Sequence, residues 1–375
     1  MKQGCNIKTT TLMNNISKLS ALTLTLALCS TSALADGIRA SLEMSKQDYQ
    51  ASEDVMVRVT LTNDEKVPVK ILKWYTAADG VEEALFKVVV DGEELHYLGA
   101  HYKRPAPSKN DYIKLKSGES VSYDVELSSI YDMSETGNYE VSYNVSSMQL
   151  FAPNPGQEKK LARLGIDGIN SSNVDFYLEG REFKGGANKG KPGTGDGGGT
   201  TPGGISFTGR CSNTQQTDIL SGLAAAKSMA ANSKSYLQGT NDKAGSVRYN
   251  TWFGNYDASR WNTVTGNFSN IDSTLNNEAL TFDCSCKKSY FAYVYPTQPY
   301  KIYMCNAFWS APTTGTDSKG GTIIHETSHF NVVAGTDDVV YGQSGAKSLA
   351  ISNPAQAIQN ADSHEYFAEN TPFQN

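Results

Sequence analysis

Histidine is scarce in this chain, with five among 375 residues. Any site built on imidazole must therefore draw on His96, His101, His325, His329 and His364. Cysteine is absent between residues 36 and 210, so that stretch must hold by its apolar core alone. Long apolar runs are missing after Leu28, which excludes a membrane-spanning helix and a stable membrane anchor of that kind. A basic excess is missing too. The formal charge is -6, from 33 Lys and Arg against 39 Asp and Glu, so nothing marks a nucleic-acid partner. The acidic balance by itself names no substrate.

What is present begins at the N-terminus. Lys2, Lys8 and Lys18 precede the apolar run Leu19 to Leu28, and Ala33-Leu34-Ala35 follows. A basic region, a short apolar region and a small-x-small site predict a signal peptide over 1–35, cut after Ala35, and hence a secreted, extracellular product. Met13 offers a second start that shortens this leader, and Leu28 is too large to precede a lipoprotein cysteine at Cys29. Cleavage removes Cys5 and Cys29 and leaves Cys211, Cys284, Cys286 and Cys305. An even set in an exported chain reads as two disulfides, with a structural zinc site as the competing reading. A bridge between Cys284 and Cys286 would be strained, which favours a distant partner for each.

Three textures follow the leader. Over 36–182, alternation at Val55, Val57, Val59 and Leu61, at Val121 to Leu127 and at Tyr139 to Val145 predicts short strands. Asp91-Gly92 marks a hairpin turn after Phe86 to Val90. An all-β sandwich of immunoglobulin-like type is the expectation. Over 183–204 the chain is Gly, Lys, Pro and Thr with little else, which predicts a flexible linker and a cleavage zone. From 205 to 375 the texture is α+β: Ser221 to Leu237 has helical spacing, 290–304 reads as strands, and Lys319 to Val333 and Ala346 to Glu369 read as helices, with Pro354 breaking or starting one.

The chemistry lies at His325-Glu326-Thr327-Ser328-His329. Two histidines four apart share one face of a helix and can both ligate one Zn²⁺, while Glu326 can reach a water on the metal as general base. A core histidine pair would have no need of the intervening glutamate. A catalytic zinc requires a third protein ligand. The third-histidine continuation is excluded, because Val332 and Gly335 stand where it needs Gly and His. Glu365 on a later helix and Asp338 nearby are both candidates.

HExxH followed by Gly335-Thr336-Asp337-Asp338-Val339-Val340-Tyr341-Gly342 resembles the signature of the deuterolysin-type, or aspzincin, metallopeptidases. The resemblance implies an α+β zincin-like catalytic domain with one Zn²⁺ on His325, His329 and Asp338, Glu326 as the base, and Tyr341 as donor to the oxyanion. Asp337 matches a variable position. Phe291 to Pro296, Ala307 to Trp309, Ala311 to Ser318 and Asn360 to Phe367 extend the likeness to the peptidyl-Lys metalloendopeptidases of that family. This implies the pairings Cys211–Cys284 and Cys286–Cys305, and Asp362 and Glu365 as the pair that binds the ammonium of a lysine just after the cut. An ordinary solvated helix face is the competing reading of that acidic pair. The likeness spans about 207–375 and leaves the β-rich region uncovered.

The expected partners are protein or peptide substrates, cut on the N-terminal side of lysine. Broad specificity on the same fold and a non-catalytic binding protein are the alternatives. The 36–182 region is expected to act as a propeptide or accessory domain that contacts the catalytic domain before maturation. Having no cysteine, it cannot silence the zinc with a thiol. Lys184, Lys189 and Lys191 would suit self-cleavage in the linker.

Overall fold

The computed structural model describes residues 37–152, 167–180 and 204–374. The leader expected over 1–35 lies outside them, as does the linker expected over 183–204 apart from Gly204.

The N-terminal half is mostly strands. Ile38–Met44, Met56–Asn63 and Ser120–Glu126 form an antiparallel sheet, in which Val57, Val59 and Leu61 point inward at 0% exposure. A second sheet centres on Gly137–Ser147, flanked by Phe86–Val90 and Val174–Leu178. Its residues alternate, with Tyr139, Val141, Tyr143 and Val145 buried. The period of two puts one side of each strand into a core that both sheets share. The Asp91-Gly92 turn joins Phe86–Val90 to Glu93–Glu94 with φ of 46° and 95°, as a two-residue hairpin turn with positive φ at both central positions requires.

The C-terminal half has its own core of helices and strands. Ser212 caps the helix Asn213–Gly239 in a reciprocal capping box with Gln215. Against this helix packs Lys319–His329, which carries the two-histidine motif and is buried along its entire length. Close approach depends on glycine. A Cβ on Gly222 would stand 3.0 Å from Lys319 Cβ, and one on Gly320 would stand 2.9 Å from Ala225 Cβ. The region expected to be helical from Ala346 to Glu369 forms Gly342–Ser352, Pro354–Ala357 and Ala361–Glu369, with Pro354 opening its helix at the first position. Disulfides join Cys211 to Cys284 and Cys286 to Cys305. By loop entropy, closures of 73 and 19 residues contribute roughly 4 and 3 kcal/mol.

The sheet of the C-terminal half joins the two parts of the chain. Its order is Ser206–Thr208, Thr281–Asp283, Lys301–Met304, Ala292–Val294 and then His101–Lys103, a strand from the N-terminal half. That last strand runs antiparallel, with Ala292 opposite Lys103, Tyr293 opposite Tyr102 and Val294 opposite His101. Tyr341 crosses in the other direction. It is fully buried in the N-terminal core, edge-on to Trp74 with ring centroids 5.0 Å apart.

Candidate metal centre and substrate pocket

His325 and His329 lie one turn apart on the buried helix, with ring centroids 4.8 Å apart. Asp338 reaches both rings: its Oδ1 is 3.1 Å from His325 Nε2 and its Oδ2 is 3.5 Å from His329 Nε2. The loop bearing Asp338 is held by backbone pairing, since Thr336 N donates to Ser328 O and Asp337 N to Gln359 O. Asn360 Oδ1 accepts from both Val339 N and Val340 N. His329 Nδ1 donates to Thr336 O at 2.6 Å, which turns its Nε2 toward Asp338.

His325 Nε2, His329 Nε2 and Asp338 Oδ1 are buried, and although the carboxylate faces both rings at 3.1 and 3.5 Å, none of the three atoms makes a well-aligned hydrogen bond among the described residues. Leaving such atoms unsatisfied costs about 1–3 kcal/mol each. Two imidazole nitrogens and one carboxylate oxygen that converge while unpaired fit a divalent metal, and this donor set suits zinc with a position left for water. Glu326 lies beside them. Its Oε2 is likewise unpaired, and burial pushes its carboxyl up to about 7.

The pair Asp362 and Glu365 is not a solvated helix face. Both are buried, on Ala361–Glu369, and a lysine ammonium sits between them. Lys103 Nζ lies 2.9 Å from Asp362 Oδ1 and 2.8 Å from Glu365 Oε2. It also lies 3.2 Å from Asp317 Oδ1, which accepts a hydrogen bond from Tyr366 OH at 2.7 Å. Burial would raise the Asp362 carboxyl, but Lys103 and His325 hold it below its ordinary value. The backbone of the same lysine reaches the other groups, since Lys103 N donates to Glu326 Oε1 at 3.1 Å and Lys103 O accepts from Phe291 N. One residue earlier, Tyr102 N donates to Asp338 Oδ2 at 3.0 Å.

Arg104 extends the contact on the other side. Its guanidinium donates to Tyr341 OH, Glu83 and the Glu82 carbonyl, and lies over the rings of Trp74, Tyr102 and Tyr290. Tyr341 OH donates in turn to Glu83 Oε1 at 2.9 Å. The anticipated oxyanion donor is therefore engaged by the N-terminal half.

The fold thus gathers His325, Glu326, His329 and Asp338 in one place and Asp362 with Glu365 beside it. Sequence reasoning missed Lys103, Arg104, Asp317 and Tyr366. Lys103 had a weak signal, because an Xaa–Lys bond in the N-terminal half is what a lysine-directed enzyme would bind, but many lysines share that property. Asp317 and Tyr366 had none beyond lying within segments resembling the family.

Residues 238–369 match the family model described as lysine-specific metallo-endopeptidase. The chain is 47% identical over 339 residues to an extracellular protease of Aeromonas hydrophila, covering 87% of this chain and 90% of that one. It is 36% identical over 346 residues to a peptidyl-Lys metalloendopeptidase of Armillaria mellea, covering 89% of this chain and 92% of that one. It is also 53% identical to a peptidyl-Lys metalloendopeptidase of Pleurotus ostreatus, covering 43% of this chain and 95% of that one. With a paired-histidine helix, a nearby aspartate and two relatives that cover 87% and 89% of it, the chain belongs to the aspzincin family and is a zinc metalloendopeptidase.

Proposed function

We propose that this enzyme is exported as a precursor, cuts peptides on the N-terminal side of lysine, and is covered by its own β-rich half until that half is removed. The observation that carries the reading is Lys103. Its ammonium lies between Asp362 and Glu365 while its backbone nitrogen lies 3.1 Å from Glu326 Oε1, so the Tyr102–Lys103 peptide lies as a substrate would. Two relatives named peptidyl-Lys metalloendopeptidase support the specificity. The extracellular relative and the two disulfides support export. No helix among the described residues is long and apolar enough to cross a membrane. The N-terminal strands are read as a sandwich of immunoglobulin-like type, supported by two sheets that share one core.

His325, His329 and Asp338 would hold the zinc. When bound, zinc supplies Lewis acidity at the substrate carbonyl and lowers the pKa of water. The Ala292–Val294 edge strand binds the substrate backbone by antiparallel pairing, as it binds His101–Lys103. Glu326 takes a proton from the attacking water and passes it to the leaving nitrogen, the atom whose position Lys103 N occupies. Tyr341 donates to the oxyanion once Arg104 and Glu83 withdraw. The carboxylate pocket favours an ammonium and leaves an apolar side chain facing unpaired charge, while the broader planar guanidinium fits it less well.

Matched peptides with lysine, arginine or norleucine after the cut test this reading in the mature, zinc-loaded enzyme. Lysine should lead norleucine by about 10²-fold or more in kcat/KM. Comparable rates for the three would refute the lysine assignment, and activity that survives a chelator would refute the zinc mechanism.

A further inference from the structure

Holding an Xaa–Lys bond in a substrate-like frame does not by itself keep an enzyme latent, because a peptidase cuts what it binds in that frame. Something must also keep water from the metal. Three protein donors leave one position on a catalytic zinc. From the N-terminal half, His101 brings an imidazole side chain to the His329 and Asp338 cluster.

His101 stands two residues before Lys103 on the same strand, so both side chains leave it on the same side. The Lys103 side chain enters the carboxylate pocket, and that of His101 meets the histidine–aspartate cluster. The His101 and His329 rings lie 4.9 Å apart, edge to face. A ring nitrogen of His101, one of His329 and a carboxylate oxygen of Asp338 all lie within 4.8 Å of one another. Neither ring nitrogen of His101 makes a hydrogen bond among the described residues. The nearest acid, Asp337, stands 3.9 Å from its Nδ1, and Asp337 is largely exposed. The backbone is held on both sides of the ring: Val294 is opposite His101 in the sheet, Tyr102 N donates to Asp338 Oδ2, and Lys103 N donates to Glu326.

We propose that His101 is a ligand of the active-site metal in the full-length chain, filling with an imidazole nitrogen the position that water needs for hydrolysis. The proposal rests on the reading of the N-terminal half as a cover over the cleft. It gives the two anchors separate tasks: Lys103 supplies affinity and register, and His101 removes the nucleophile. Loss of the N-terminal half takes both away and opens the metal to water.

The test uses the full-length chain with Glu326→Gln, which cannot process itself, loaded with Co²⁺ as a spectroscopic substitute for zinc. His101→Gln, which keeps most of the bulk, and His101→Ala are compared with the parent, alongside Lys103→Ala. Exchange of a nitrogen donor for water should shift the visible cobalt bands in either folded His101 variant. Competition with a chelator should show metal held about tenfold or more weakly. Lys103→Ala should shift the bands only in the fraction of chains whose N-terminal half has opened, as limited proteolysis counts it, whereas the His101 variants should shift them while that half stays docked. Unchanged bands and unchanged metal affinity in a folded His101 variant would overturn the ligand assignment while leaving the cover intact. A Glu326-intact full-length chain as active as the trimmed enzyme would instead overturn the cover and the proposal with it. A parent that takes up no stoichiometric metal would overturn the metal centre and everything built on it.

Discussion

Asp362 Oδ1 lies 3.0 Å from His325 Nδ1 and 2.9 Å from Lys103 Nζ, so one carboxylate oxygen faces both the metal-site histidine and the lysine ammonium. Its other oxygen accepts from Gly342 N at 2.6 Å, which ties it to the residue after Tyr341. Glu365 is placed differently. Its Oε2 lies 2.8 Å from the same ammonium and 3.3 Å from His325 Nδ1, and it has no backbone tie among the described residues.

From that difference the two acids should fail in different ways. Asp362→Asn should weaken zinc by about 10–100-fold and slow every peptide, whether or not it contains lysine, because the charge behind His325 is lost. Glu365→Gln should leave zinc nearly unchanged and cost about 1.5–3 kcal/mol in kcat/KM for lysine peptides alone. Zinc competition and kinetics on the two peptide classes separate these outcomes. Identical behaviour of the two variants would contradict the division.

Lys103→Ala in the full-length chain should loosen the N-terminal half. The change leaves Asp362 and Glu365 buried without their cation, and removing one partner of such a pair costs about 3–5 kcal/mol. Activity of the unprocessed chain toward an added peptide should rise, and limited proteolysis should find the β-rich half more open. Full latency in the variant would show that the lysine anchor contributes little.

Glu369 stands behind the pocket, where its carboxyl accepts from Ser318 N at 2.7 Å and Asp317 N at 3.2 Å. Burial, and then Glu365, push it up to about 9. For a carboxyl raised on folding, the folded state binds the proton more tightly. Its contribution is therefore fully present below the ordinary carboxylate range, and it falls as pH rises from there to about 9. Glu369→Gln should remove that dependence. The variant should resemble the parent in Tm under acid conditions and exceed it in alkaline buffer. Parallel Tm curves across the range would contradict the assignment.

The convergence of His325, His329 and Asp338 was legible because its geometry is local. Four residues on a helix bring two side chains to one face whatever surrounds them, and Asp338 follows within a short loop. The hairpin at Asp91-Gly92 and the break at Pro354 were legible for the same reason, since backbone dihedral preference acts within a few residues. Lys103 was not legible. Its role depends on a strand from one half pairing with Ala292–Val294 of the other, across nearly two hundred residues. No periodicity records such a register, and three residues are too short to carry a pattern. Asp317 escaped for a related reason: it reaches the ammonium only because Lys319–His329 starts beside Ala361–Glu369, which is a matter of helix packing. Tyr341 looked like a free active-site phenol, and its burial against Trp74 and Arg104 belongs to the docked halves rather than to its motif.

The most direct measurement is the cleavage-site profile of the mature enzyme on a denatured protein, read as the first residue of every new fragment. Lysine should stand first in nearly all of them, as Lys103 does after Tyr102 in the cleft. New N-termini scattered over many residue types would contradict the account.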